Sequence, residues 1–176
     1  MGPKQFLQGE WLGHPLHPAL VHIPTALWPA ALVFDVLTQF DVGGNALVRA
    51  SFYAIALGLA VALLAVPTGL ADWWDIGRDK PAWKLGLWHM GINVVVAAIA
   101  AANLYLRLGD ELQATVVPTT PLLLSLLATA LLLVSGYLGG RMVFNYGTSI
   151  ARQSKEKWRR HAEAGGARLP TQEKDS

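Results

Sequence analysis

The sequence predicts an all-α integral membrane protein, a four-helix bundle whose two chain ends lie on the same side of the bilayer. Three observations predict it. Hydrophobic residues make up 53% of the 176 residues and charged residues only 15%, crowded into a few places. Four apolar runs, at about 19–40, 50–70, 85–106 and 122–144, each reach the ~20 residues that a helix needs to cross a bilayer. A soluble chain this small has no core able to hide four such runs. Twelve of the fourteen Lys and Arg fall on the face shared by the N-terminus, the loop after Asp72 and the C-terminus, leaving only Arg49 and Arg107 opposite. That bias places both termini in the cytoplasm.

The elements follow in order. Residues 1–18 form an interfacial segment, with Phe6, Leu7, Trp11 and Leu12 among polar residues. It lacks the basic-then-apolar pattern of a cleaved signal peptide. The first span begins after GHPLHP, where Pro15 and Pro18 suit an extended entry and a first helical turn. Pro24 and Pro29 lie deeper and need neighbours that satisfy the freed carbonyls. Asp35 falls near the opposite interface, and its expected partner is Arg49, one turn away across FDVGGN. The second span carries Ala54, Gly58, Ala62, Ala65 and Gly69 at spacings of three or four, a face for close packing within the chain or between copies. Asp72 extends that stripe. The following loop, ADWWDIGRDKPAW, has the Trp and charge of an interfacial connection.

The third span sets His89, Asn93, Val96, Ala100 and Asn103 on one face, a polar-and-small stripe that should point into the bundle. The fourth puts Ser125, Thr129, Gly136 and Gly140 on a similar stripe. After it, residues 145–176 are expected to be a basic, mobile tail that is drawn to lipid headgroups rather than nucleic acid.

The chemistry points to the N-terminal entry. Cysteine is absent, which excludes disulfides, thiolate ligands, iron–sulfur clusters and covalently attached haem. Three histidines, His14, His17 and His22, stand at the start of the first span. His22 lies roughly 4.5 Å into it, and His89 roughly 6 Å into the third, both measured from the same membrane face. Asp72, Arg141 and the Gly139–Gly140 pair come to that face too. The expectation is that His22 and His89 ligate a b-type haem between the first and third helices, with His17 as the alternative to His22. Asn93 would stand beside the site. Gly86, Gly91 and Gly136 would give the ring room, and Arg141, Lys84 and Trp88 would meet the propionates. Asp72 pairs with Arg141, orients an imidazole or accepts a proton; the ion pair is the first expectation. His14 positions the chain entry. The competing reading is a non-redox module for proton or metal-ion movement, or for assembly, with the histidines as structural or proton-carrying groups. Neither reading gives the chain an enzymatic activity of its own.

Four blocks then carry a resemblance. GHPLHPALVHIPTALWPAALVFD, PTGLADWWDI, WHMGIN and SGYLGGRMVFNYG, in that order, resemble the family of small bacterial predicted membrane proteins of unknown function that opens with His-Pro-Leu-His-Pro. The likeness covers about residues 13–150. It implies a redox membrane setting, because some relatives are fused to Rieske iron–sulfur domains or lie beside cytochrome components, so a partner of that kind is expected. It carries over to His14, His17, His22, Asp35, Asp72, His89, Asn93, Gly139 and Gly140. Arg141 and Tyr146 depart from the Glu and His common there, which argues against a carboxylate or imidazole from the fourth helix.

Overall fold

The computed structural model describes residues 1–148 and 155–166, and the described part contains helices and no strands. A short α1, Pro3–Leu7, leads through a 3-10 turn at Glu10–Leu12 into α2, Leu16–Thr38. Then come α3, Gly44–Trp73, α4, Pro81–Leu106, and α5, Thr119–Phe144; a 3-10 turn at Gly109–Gln113 lies between the last two. α6, Lys155–Ala164, gives part of the tail helical form; residues 149–154 and 167–176 lie outside the described residues. Helices α2 to α5 are each long and apolar enough to cross a membrane. The face carrying residues 1–15, the loop at 74–80 and residues 145–148 is called the near side below, and the opposite face the far side.

The proline positions explain the helix starts. Pro15 caps α2 in extended conformation and Pro18 falls in its first turn, where a missing N–H costs nothing. Pro81 opens α4 at its first position, again with an extended residue, Lys80, before it. At the far side, Gly43 adopts φ +72°, and a Cβ there would lie 2.4 Å from the Leu47 side chain. Glycine is therefore required where the chain turns from α2 into α3.

The chain packs as two helical hairpins, α2 with α3 and α4 with α5, closed by lesser contacts of α2 with α5 and α3 with α4. The diagonals are thus α2–α4 and α3–α5. The mid-bundle core is Trp28, Ala31, Ala54, Ile55, Val96, Ala100, Ala128 and Leu132. Small residues let the helices approach, and the one large side chain is seated on a glycine. Trp28 Nε1 donates to the Ile55 carbonyl at 3.2 Å, and a Cβ at Gly58 would fall 2.4 Å from that nitrogen. Gly58→Ala is therefore expected to displace Trp28 and cost about 1–3 kcal/mol, read as lowered unfolding stability with a shifted Trp emission.

The far side is held by polar contacts from every spanning helix. Asp35 is fully buried and forms a two-pronged ion pair with Arg107, at 2.9 Å to Nη1 and 2.6 Å to Nη2. The expected Asp35–Arg49 pair does not form. Asp35 lies on the buried stripe of α2, whereas Arg49 is exposed on the outer face of α3. Arg107, at the end of α4, reaches back over one turn. Its Nε donates to Asn103 Oδ1 at 2.7 Å, and Ser51 and Ser125 Oγ complete the cluster at 3.0 and 3.2 Å. Ser125 in turn donates to Asp35 at 2.6 Å. Loop contacts close the end. Val117 N donates to Thr38 Oγ1, Gln39 to the Val117 carbonyl, and Asn45 to the carbonyls of Leu112 and Ala114.

Candidate functional site

One imidazole pair forms at the near side, between diagonal helices. His17 of α2 and His89 of α4 have ring centroids 6.5 Å apart and planes at 85°. Each ring is pinned through Nδ1. His17 Nδ1 lies 3.0 Å from the Ala65 carbonyl, and His89 Nδ1 lies 2.9 Å from the Ser135 carbonyl. A carbonyl oxygen only accepts, so each neutral ring carries its proton on Nδ1 and leaves the lone pair on Nε2. This is how a ligating histidine is held: a hydrogen bond at the outer nitrogen fixes ring orientation and tautomer.

The other two helices supply the frame. On α3, Thr68 Oγ1 donates to the Ala65 carbonyl at 2.7 Å and lies 3.3 Å from His17 Nδ1. A Cβ at Gly69 would fall 2.7 Å from His17 Cε1, so the ring lies flat on the backbone there. On α5, a Cβ at Gly139 would fall 3.1 Å from His89 Cε1. Asn93 Nδ2 is near three acceptors: Ser135 Oγ at 2.7 Å, the His89 carbonyl at 2.8 Å and His89 Nε2 at 3.2 Å. With two N–H bonds to give, it satisfies the two shorter contacts and can leave the His89 lone pair free.

The remaining residues named from the sequence are placed elsewhere. His22 is exposed on the outer face of α2, and its Nδ1 meets the Pro18 carbonyl of its own helix. It does not face His89; His17 does. The cause is azimuth. His17 lies eighteen residues before Asp35, about five whole turns, and so shares its buried face, whereas His22 is rotated by about 140°. His14 is exposed, with Nδ1 3.1 Å from the Pro15 carbonyl. Gly91 and Gly136 are exposed on outer faces, and Gly86 seats Trp73 rather than opening a slot. Trp88 is exposed, as is Lys84, and Arg141 is half-buried in the last turn of α5. The ion pairs among the described residues are Lys4–Asp75, Lys80–Asp79 and Arg107–Asp35, so the expected Asp72–Arg141 pair is not among them. Asp72 instead lines a near-side cleft of about 460 Å³ with Asp75, Lys80, Ala82, Tyr146 and Thr148. The side chain of His161 lies outside the described residues.

The donor set limits what the pair can hold. Among the described residues no group of three or more His, Cys, Asp or Glu converges on a metal position. Two imidazoles do not satisfy a structural zinc, which takes four protein ligands. They do satisfy an iron whose other four nitrogens come from a macrocycle. Metal–nitrogen bonds of about 2 Å on either side would bring two imidazole centroids to roughly 6–6.5 Å. The His17 and His89 centroids are 6.5 Å apart. Thr68, Gly69 and Ser135 were not singled out as site residues from the sequence. Their signal was register: each lies on the inward stripe of its helix, one step from a residue that was.

The sequence model of a family described as Predicted membrane protein (DUF2231) matches residues 13–152, a range that holds all four spanning helices and both histidines of the pair. No curated protein and no solved structure matches the chain.

Proposed function

The chain belongs to the DUF2231 family of predicted membrane proteins, and from that starting point we propose that it is a b-type haem-binding electron-transfer component of a redox membrane assembly, in which His17 and His89 would hold the haem. The observation that carries this reading is the diagonal pair itself: centroids 6.5 Å apart, with each Nδ1 bound to a backbone carbonyl. The flanking backbone is glycine on both neighbouring helices, Gly69 on α3 and Gly139 on α5, and each histidine ring packs into the volume that a Cβ there would take. The macrocycle would supply one-electron chemistry. His17 and His89 would hold it, and the Ala65 and Ser135 carbonyls fix the orientation of their rings. In this reading the basic near side is cytoplasmic, and the exchange partner is a one-electron redox protein such as a Rieske or cytochrome component.

The test is an absorption spectrum. Protein produced with ample haem and purified in detergent should show a Soret band and an alpha band that sharpens on reduction. His22→Ala should retain both. Gly69→Ala, which pushes a methyl group into the His17 ring, should weaken haem retention by about 10–100-fold, the usual effect of disturbing a ligand's support. Wild-type protein without such bands would overturn the haem reading and leave the pair as a proton-carrying or packing device.

A further inference from the structure

The two ends of the bundle are built differently, and the difference bears on how the histidine pair communicates with water. At the far end the cross-section is filled by Asp35, Ser51, Asn103, Arg107 and Ser125, all buried and hydrogen-bonded to one another. Below them the apolar mid-bundle core separates this layer from the histidines. The void between Trp28, Ile55, Asn103 and Ser125 is about 10 Å³, room for one water at most. At the near end a cleft of about 460 Å³ lies between the 74–80 loop, the first turn of α4 and the Tyr146–Thr148 turn. Its wall residue Asp72 lies four residues below Thr68, and Ala82 seven below His89, roughly 6 and 10 Å along their helices. The N-terminal segment braces one edge. Gln8 is buried, donates to the Ala71 carbonyl at 2.9 Å and to Asp75 at 2.6 Å, while Lys4 pairs with Asp75.

We infer that the cleft between the 74–80 loop and the Tyr146–Thr148 turn is the aqueous entrance to the His17–His89 pair, so that protons, small hydrated ions and water-soluble reductants reach the pair from the near side and not from the far side. The inference does not depend on what the two imidazoles hold. It follows from a hydrogen-bonded polar plug at one end, an apolar core in the middle and, within two helical turns of the rings, a cleft whose lining includes Asp72, Asp75 and Lys80 among apolar residues.

The absence of cysteine makes the test direct. Single variants Thr148→Cys at the rim, Thr68→Cys beside His17 and Ser51→Cys in the far layer would be placed in vesicles of both orientations. Each would then be exposed to a membrane-impermeant thiol reagent. Thr148→Cys and Thr68→Cys are expected to react from the near side. Thr68→Cys should react about tenfold or more faster from that side than from the other, since thiol reactivity follows access. Ser51→Cys should stay unreactive from both sides. Ala82→Trp, which fills the cleft wall, should slow the Thr68→Cys reaction. If Thr68→Cys does not yield folded protein, Ala65→Cys takes its place. Reaction of either cysteine at equal rates from both sides would overturn the inference. So would a Thr148→Cys that reacts from the near side beside a Thr68→Cys that does not, because the cleft would then be blind.

Discussion

Arg107→Ala is expected to destabilise the bundle by about 3–5 kcal/mol, the cost of leaving a buried carboxylate without its cation. Asp35 has no exposed surface, and Arg107 supplies both prongs of its partner. Removing the guanidinium also frees Asn103 Oδ1 and takes a donor from Ser51 and Ser125. Asp35→Ala should cost a similar amount, because it strands the cation instead. The double variant Asp35→Leu with Arg107→Met should recover much of the loss. With both charges gone there is no buried ion to desolvate, and the serine hydroxyls can turn to carbonyls of their own helices. Unfolding titrations in mixed micelles read all three. Single variants that unfold like the wild type would show that the cluster holds nothing together. A double variant worse than either single would show that the pair is net stabilising in its own right.

The second large effect is expected at the histidines. His17→Ala and His89→Ala should each abolish six-coordinate haem binding, whereas His22→Ala should leave it intact. The contrast rests on geometry: His17 and His89 face each other across the bundle, and His22 faces outward with its Nδ1 on its own helix. The folding cost of the histidine variants should stay well below that of Arg107→Ala. The groups around each ring have other partners: Thr68 donates to the Ala65 carbonyl, and Asn93 to the His89 carbonyl and Ser135 Oγ. Loss of the spectrum without loss of fold therefore separates a ligand from a structural histidine.

Much of this was legible in the sequence. Apolar run length and the crowding of charge point to the four spanning helices; the structure starts each of them three to six residues earlier, ends the first span two residues sooner and carries the second three residues further. The stripe His89, Asn93, Val96, Ala100, Asn103 lies inward as its spacing requires, with Val96, Ala100 and Asn103 buried. Extending that stripe one step reaches Arg107, the true partner of Asp35. Arg49 had the attraction of proximity along the chain, but it sits beside buried Val48 and so faces out. Depth along α2 does not separate an inward histidine from an outward one; rotation about the helix does. Measured against Asp35 on the same helix, His17 shares the buried face and His22 does not. On α5 the same rotation turns Ser135 inward and leaves Gly136 exposed. Which helices lie on the diagonals was not legible, since that depends on packing between hairpins, and it is the diagonal that brings His17 and His89 together.

The central claim is that His17 and His89 form one ligand pair, and imidazole rescue tests it most directly. In His17→Gly, the haem spectrum should change from six-coordinate low-spin to five-coordinate, and added imidazole should restore the original bands by entering the space the side chain left. A His17→Gly spectrum identical to wild type, or a loss of bands in His22→Gly that imidazole repairs, would contradict the claim.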